Sequence, residues 1–455
     1  MGEVTWDGEP VGRVAVVGAG PAGCLLAAFL GRRGVAVDLY ERRPDPRAGG
    51  AERGRSINLA ISARGLDALG RVGLAEQVLA EALPMRGRAL HPVSGGPGYQ
   101  PYSADGTRAI HSISRARLNH ALLDRAEATP GVALHFAHRL ETVDPATGLL
   151  TFAGRGERRA GVVVGADGAY SAVRRAVQFA EGFDFAQEFL PHGYKELTIP
   201  ATAAGDFALD PGALHIWPRG SSMMIALPNT DRSFTCTLFW PREGPGGFAG
   251  LDTPERVTAY FAAHYPDAVP LLPDLVDDFL HNPVGSLLTV RCSPWVRGRV
   301  ALLGDAAHAI VPFFGQGANC AFEDCVELDR CLDDAGGDLA RALDLYQRRR
   351  KANTDAIAAM ALENFVEMSE KVASPAFRWA TRARHALERL VPGYVSRYEL
   401  VSFTTIPYAE IDGRVRRQDR MVGAAALALA GGTALLGRWV RSRSTPSRPP
   451  RTRGG

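Results

Sequence analysis

The stretch VAVVGAGPAGCLLAAFLGRRGVAVDLYE, residues 14–41, constrains the fold more than any other part of this 455-residue chain. Two short apolar runs flank a glycine cluster and a helix-forming segment, a pattern of strand, tight turn, helix and strand. Gly18 permits the sharp turn, Gly20 lets backbone approach a pyrophosphate, and Gly23 lets the helix lie close to the sheet, with phosphate at the helix N-terminus. Glu41 ends the second strand, where a carboxylate accepts hydrogen bonds from ribose hydroxyls and repels a 2′-phosphate. FAD or NAD therefore suits this position better than NADP.

Two later segments repeat the theme of an apolar strand ending in Asp. VVVGADGAYSAVR, residues 162–174, places Asp167 and Gly168 after a buried-strand pattern. RVALLGDAAHAIVPFFGQGANCAFEDC, residues 299–325, does the same with Gly304 and Asp305, then supplies a Gly/Pro-rich loop and a helix from about Ala318. Their separation indicates that the chain leaves the nucleotide domain and returns to it. Between them, ALHIW, SMMIAL and SFTCTLFW alternate as strands of a sheet with one buried face, in which Met223 and Phe239 read first as core. Beyond about residue 340 the pattern is helical, and RRRK at 348–351 reads as a solvated helix face.

Composition excludes several classes. The formal charge of +3 is concentrated in residues 438–455, which hold six Arg and no acid. The rest of the chain is slightly acidic, which argues against a nucleic-acid-binding surface. Six Cys without a CxxC pair fit a reducing compartment, and no metal site is expected. No basic and apolar leader precedes Val14, so secretion is not expected and a cytoplasmic location is. The uncharged run 421–437 falls short of the roughly 20 residues that span a bilayer. It reads as a terminal helix, with peripheral membrane contact as the alternative. His308 reads as structural rather than as an acid or base.

A series of motifs in chain order carries a more specific resemblance: RSINLAIS at 55–62, PMRGRALH at 84–91, SISRARLN at 112–119, HGYKEL at 192–197, HIWPRG at 215–220, MMIALPN at 223–229, FTCTLFWP at 234–241, AIVPFFGQG at 309–317 and ENFVEM at 363–368. With the glycine fingerprint, GADG and GDAAH, the chain resembles the FAD-dependent aromatic monooxygenases that have one dinucleotide domain. Within them it is similar to the kynurenine 3-monooxygenase family, from near the N-terminus to at least residue 410. The resemblance implies a mixed α/β and α+β fold. A Rossmann-like FAD-binding domain (11–185, returning at 291–340) carries an inserted, mainly antiparallel substrate sheet (186–290). A C-terminal helical region (341–420) and a terminal helix candidate with a basic tail (421–455) follow.

The same resemblance implies bound FAD, NADPH as a transient cosubstrate without its own domain, and O2. It implies hydroxylation of L-kynurenine at ring position 3, with the flavin's peroxide rather than a side chain as the reacting group. RSINLAIS becomes flavin scaffolding, Arg55 or Asn58 bonding to local backbone or cofactor. Ala60, Arg115, Leu140, Asp305, Ala318 and Asn319 join Gly18, Gly20, Gly23 and Glu41 as cofactor contacts. Arg88, Tyr102, Asn364 and Tyr398 bind the carboxylate and amine of the amino-acid substrate, an Arg fork being the natural partner of a carboxylate. Pro312, Phe313, Phe314 and Gln316 form the loop beside the reacting edge, with Gln316 bonding to substrate amine or carbonyl. The segment departs from the family's GQGMN with Ala318 in place of Met. A modified kynurenine or another aminoaryl substrate of specialised metabolism therefore stays open, and an FAD-dependent reductase stands behind it.

Overall fold

The structure is a computed structural model that describes residues 4–49, 58–93, 96–103, 105–366 and 394–424. Arg55, the helical pattern around 380–391, most of the apolar run 421–437 and the basic tail lie outside the described residues. Along the chain, the elements that build the site begin with β1 (Arg13–Val17), α1 (Pro21–Arg32), β2 (Ala36–Tyr40), β3 (Asn58–Ile61) and α2 (Ala63–Arg71). They continue with β4 (Gly87–Leu90), β5 (Gly98–Pro101), α3 (Arg115–Glu127), β6 (Val132–His135) and β7 (Val162–Gly165). Next come β8 (Asp184–Ile199), β9 (Ala213–Arg219), β10 (Ser222–Pro228), β11 (Phe234–Pro241) and β12 (Gly285–Ser293). The last are β13 (Val296–Arg297), β14 (Val300–Leu302), α4 (Gly317–Asp334), α5 (Leu339–Val366) and α6 (Arg397–Phe403).

The nucleotide domain is a six-stranded sheet in the order β6-β2-β1-β7-β14-β13, parallel except for the edge strand β13. Val163 of β7 pairs with Ala15 on one side and Val300 on the other, so the strand contributed after the long excursion closes against the one before it. Helices cover the sheet, which is why β1, β7 and β14 read as unbroken apolar runs rather than alternating ones. Helix α1 is buried from Gly23 to Gly31 because it is packed by α3 and α4 as well as by the sheet.

The excursion forms a seven-stranded sheet in the order β12-β8-β11-β10-β9-β4-β5, antiparallel except where β9 runs parallel to β4. Two of its strands thus come from residues 87–101, ahead of the inserted segment. Period-two alternation gives it two faces. Trp217, Met224, Cys236, Leu238 and Trp240 pack under the helices Pro254–His264 and Leu275–His281. Ile216, Met223, Ile225, Leu227, Thr237 and Phe239 face a cleft against the nucleotide domain. Met223 and Phe239, each 4% exposed, are both core and cleft wall.

The cluster at 348–351 does not behave as one solvated face. Arg348, Arg349 and Lys351 make partly exposed ion pairs, but Arg350 is 3% exposed and pairs with Glu323 and Asp324 of α4. Its phase on α5 turns it inward, where two carboxylates meet it. Among the described residues, no helix is long and apolar enough to cross a membrane.

Candidate active site

The cleft has a volume of about 550 Å³ and runs between the two sheets. One end is the start of α1. Gly18, at φ +105°, makes the turn, and a Cβ there would meet the Ala166 carbonyl oxygen at 2.6 Å. Gly23 lies so close to the turn that a Cβ would sit 1.9 Å from the Gly18 carbonyl oxygen. Gly20 differs: a Cβ there meets nothing within 4 Å, and the residue lines the cleft at the N-cap of α1. The unbonded N–H groups of a helix start facing open space form a cradle for phosphate. Glu41 is 6% exposed; Oε2 accepts from Ala19 N at 3.1 Å and Oε1 from the backbone and side chain of Arg43. The carboxylate is fixed at the end of β2, beside the turn.

Arg115, at the start of α3, and Asp305, after β14, line the same cleft. The Arg115 guanidinium has no hydrogen-bond partner among the described residues. Asp305 opens onto the cleft but is otherwise surrounded by protein, and this burial raises its carboxyl above the usual range against the pull of Arg115 and His308. A polar ligand with hydroxyl groups there gives both side chains the partners they lack. Leu140 begins the strand Leu140–Asp144, with its side chain in the nucleotide-domain core and outside the cleft wall.

At the middle of the cleft stands the start of α4, with Gly317 and Ala318 on the wall and no side-chain cap on the first turn. Asn319 is fully buried and works as a clamp: Oδ1 accepts from Ser62 N at 2.9 Å, and Nδ2 donates to the carbonyls of Ala60 and Gly315 at 2.8 Å. Its side chain thereby ties β3, α2 and the 312–316 loop to α4. Asn319→Ala removes these three bonds, one of them fully buried, and urea unfolding should show a loss of about 3 kcal/mol. Asn58 also lines the cleft, and its amide bonds to Ser112, the Pro228 carbonyl and Asn229, joining β3 to the substrate sheet.

The loop residues Pro312, Phe313 and Phe314 line the cleft, but Gln316 does not. Gln316 is 1% exposed and its Oε1 accepts from the Tyr408 hydroxyl at 2.8 Å, so its amide is turned into the protein. Asn364 likewise lies outside the wall, donating from Nδ2 to the Phe313 carbonyl at 2.7 Å. It shapes the loop.

At the sheet end, Arg88 of β4 and Tyr398 of α6 line the cleft together, with the guanidinium carbon 4.1 Å from the Tyr398 ring centroid. Tyr102 stacks on Tyr398 from behind at 5.1 Å, 7% exposed and outside the wall. Among the described residues, Arg88 Nε and Tyr102 Oη are both buried without a hydrogen-bond partner. Buried donors in this condition are costly unless a ligand completes them. Wall residues not singled out from sequence include the polar Tyr194, Thr237 and Tyr170. The first two stand inside HGYKEL and FTCTLFWP, where strand alternation puts them on the cleft face.

Behind α4, His308, Cys320 and Asp324 bring one donor atom each within 4.8 Å of one another, all buried. Arg350 fills their coordination instead, with Nε 2.7 Å from Asp324 Oδ1 and Nη2 3.3 Å from Cys320 Sγ. Burial opposes a charge on His308, but the Asp324 carboxylate at 2.5 Å outweighs it and lifts the imidazole to about 10. A raised histidine contributes stability that is complete below its ordinary value of about 6.5 and is lost as pH rises toward the folded one. Wild-type protein should therefore lose unfolding free energy between about pH 6.5 and 10, at most about 1.4 kcal/mol per pH unit from this residue. His308→Gln should lack that slope, and parallel pH profiles from chemical denaturation would contradict the assignment.

The fold and the cleft define a flavoprotein: residues 12–361 match the FAD binding domain family. The chain is 51% identical over 402 residues to a kynurenine 3-monooxygenase of Myxococcus xanthus, covering 87% of this chain and 86% of that one. It is 48% identical over 431 residues to one of Salinispora tropica, covering 93% and 95%. The chain belongs to the kynurenine 3-monooxygenase family. In three dimensions it is similar to 2-methyl-3-hydroxypyridine-5-carboxylic acid oxygenase, with a TM-score of 0.66 at 22% identity over 86% of this chain and 95% of that one. That likeness is one of fold.

Proposed function

We propose that the chain is a cytoplasmic, NADPH-dependent FAD monooxygenase that converts L-kynurenine, O2, NADPH and a proton into 3-hydroxykynurenine, NADP⁺ and water. The observation that carries the substrate reading is the Arg88 guanidinium, stacked against Tyr398 at the end of an otherwise apolar wall with Nε buried and unpartnered. An amino acid's carboxylate completes it. The FAD reading is carried by the open cradle at Gly20 and by Arg115, which lines the cleft beside Asp305 with no hydrogen bond to its guanidinium among the described residues.

Gly20 and the first turn of α1 would hold the pyrophosphate, Arg115 and Asp305 the linking chain, and the N–H groups at Gly317 and Ala318 the pyrimidine edge of the ring. Bound FAD would supply the redox chemistry that activates O2, with electrons from NADPH. The protein's part is to orient and to keep water out. Leu214, Ile216, Ile225, Leu227 and Phe239 give the aromatic ring an apolar wall, and the anchored carboxylate fixes how far the ring enters. The carbon ortho to an arylamine is electron-rich and is the position that accepts an electrophilic oxygen.

Purified protein loaded with FAD should consume NADPH faster with L-kynurenine than without it, and form 3-hydroxykynurenine in proportion. NADPH loss with no such product would remove the substrate from the reading. Peripheral membrane contact through 421–437 is a separate proposal. Flotation with anionic vesicles should separate the full chain from one ending at residue 420, and equal partitioning overturns it.

A further inference from the structure

The C-terminal segment does more than bring Tyr398 to the cleft. Tyr408, 1% exposed, donates its hydroxyl to Gln316, the residue from which α4 starts. Its ring lies 3.8 Å from the guanidinium carbon of Arg64, whose side chain is fully buried. Arg64 reaches the carbonyls of Val401 and Ile406 on the C-terminal segment, and Glu323 on α4. Arg350 takes the other Glu323 oxygen at 2.6 Å and Asp324 at 2.7 Å. The front of α4 faces the cleft through Gly317 and Ala318, while its N-cap residue Gln316 is gripped from behind by a residue 92 positions away in sequence.

We propose that Tyr408 is a positioning residue: through Gln316 it holds the N-terminus of α4 against the flavin and raises the flavin's reduction potential. The N–H groups of a first turn stabilise negative charge, and the flavin gains it on reduction. That stabilisation depends on where the helix end stands, so freeing Gln316 weakens it. Arg64 keeps the Tyr408 ring in place independently of the hydroxyl, which lets the two roles be separated. The proposal rests on the FAD reading of the cleft and not on the identity of the substrate.

The test is the two-electron midpoint potential of FAD bound to the full chain, measured anaerobically with no substrate present. Tyr408→Phe keeps the ring beneath Arg64 and removes only the donor. Its midpoint should fall by about 30 mV, a tenfold change in the equilibrium between oxidised and reduced flavin. Gln316→Leu should shift the midpoint equally, and the double variant no further than either single one. The kynurenine KM should move less than about twofold, because Arg88 and Tyr398 are untouched. An unchanged midpoint in Tyr408→Phe, or shifts that add in the double variant, overturns the proposal. Should Tyr408→Phe fail to retain FAD, Gln316→Leu carries the same expectation and the same overturning result. Wild-type protein that binds no FAD would instead overturn the cofactor reading.

Discussion

Arg88→Ala should raise the kynurenine KM by about 100-fold or more while FAD content stays at the wild-type level. Removing a charge-assisted pair with a carboxylate costs about 1.5–3 kcal/mol per hydrogen bond, and two such bonds reach that factor. The flavin end is spared because Arg88 stands on the substrate sheet, stacked on Tyr398. Arg88→Lys keeps the charge and loses the planar fork over the ring, so it should recover only part of the affinity. Steady-state kinetics with bound flavin quantified by absorbance read both quantities. An unchanged KM would remove Arg88 from the carboxylate site.

The second large effect separates two glycines three residues apart. Gly23→Ala forces a Cβ to 1.9 Å from the Gly18 carbonyl oxygen, which cannot yield without moving the turn or α1. It should cost about 3 kcal/mol of stability or more, as an overpacked core site does, and lose FAD with the fold. Gly20→Ala places its methyl group in open space, so apoprotein stability should stay within about 0.5 kcal/mol. The same methyl stands where pyrophosphate must approach the backbone. FAD affinity should fall by at least tenfold, about 1.4 kcal/mol. Denaturant unfolding of apoprotein and FAD titration together test the pair. Full FAD affinity in Gly20→Ala would show that the phosphate does not approach there.

The nucleotide half was legible because each of its signals is local. The spacing of Gly18, Gly20 and Gly23 encodes a turn, an approach and a helix packing, and the Asp-ended strands at 167 and 305 announce the return of the chain. The substrate sheet was legible through alternation, but its β4 and β5 were not. Their place is fixed by Gly87–Leu90 pairing in parallel with Ala213–Ile216, a contact that no local pattern records.

At the site, chemistry-bearing types were easier to find than their directions. Arg88 and Tyr398 meet at the cleft, while Tyr102 and Asn364 stand one layer behind it, supporting a ring and a loop carbonyl. Gln316 and Arg350 turn inward for the same reason: each has a buried partner on a distant segment, Tyr408 for one and Glu323 with Asp324 for the other. Helix phase is readable from sequence. The identity of the partner that rewards burying a polar side chain is not.

The most direct test of the account is isotopic. FAD-loaded protein, supplied with NADPH, L-kynurenine and ¹⁸O2 in ordinary water, should yield 3-hydroxykynurenine with one ¹⁸O on the ring and none from solvent. Product labelled from water, or NADPH oxidised with kynurenine recovered unchanged, would contradict the claim that this cleft transfers an oxygen atom from O2 to an aminoaryl ring.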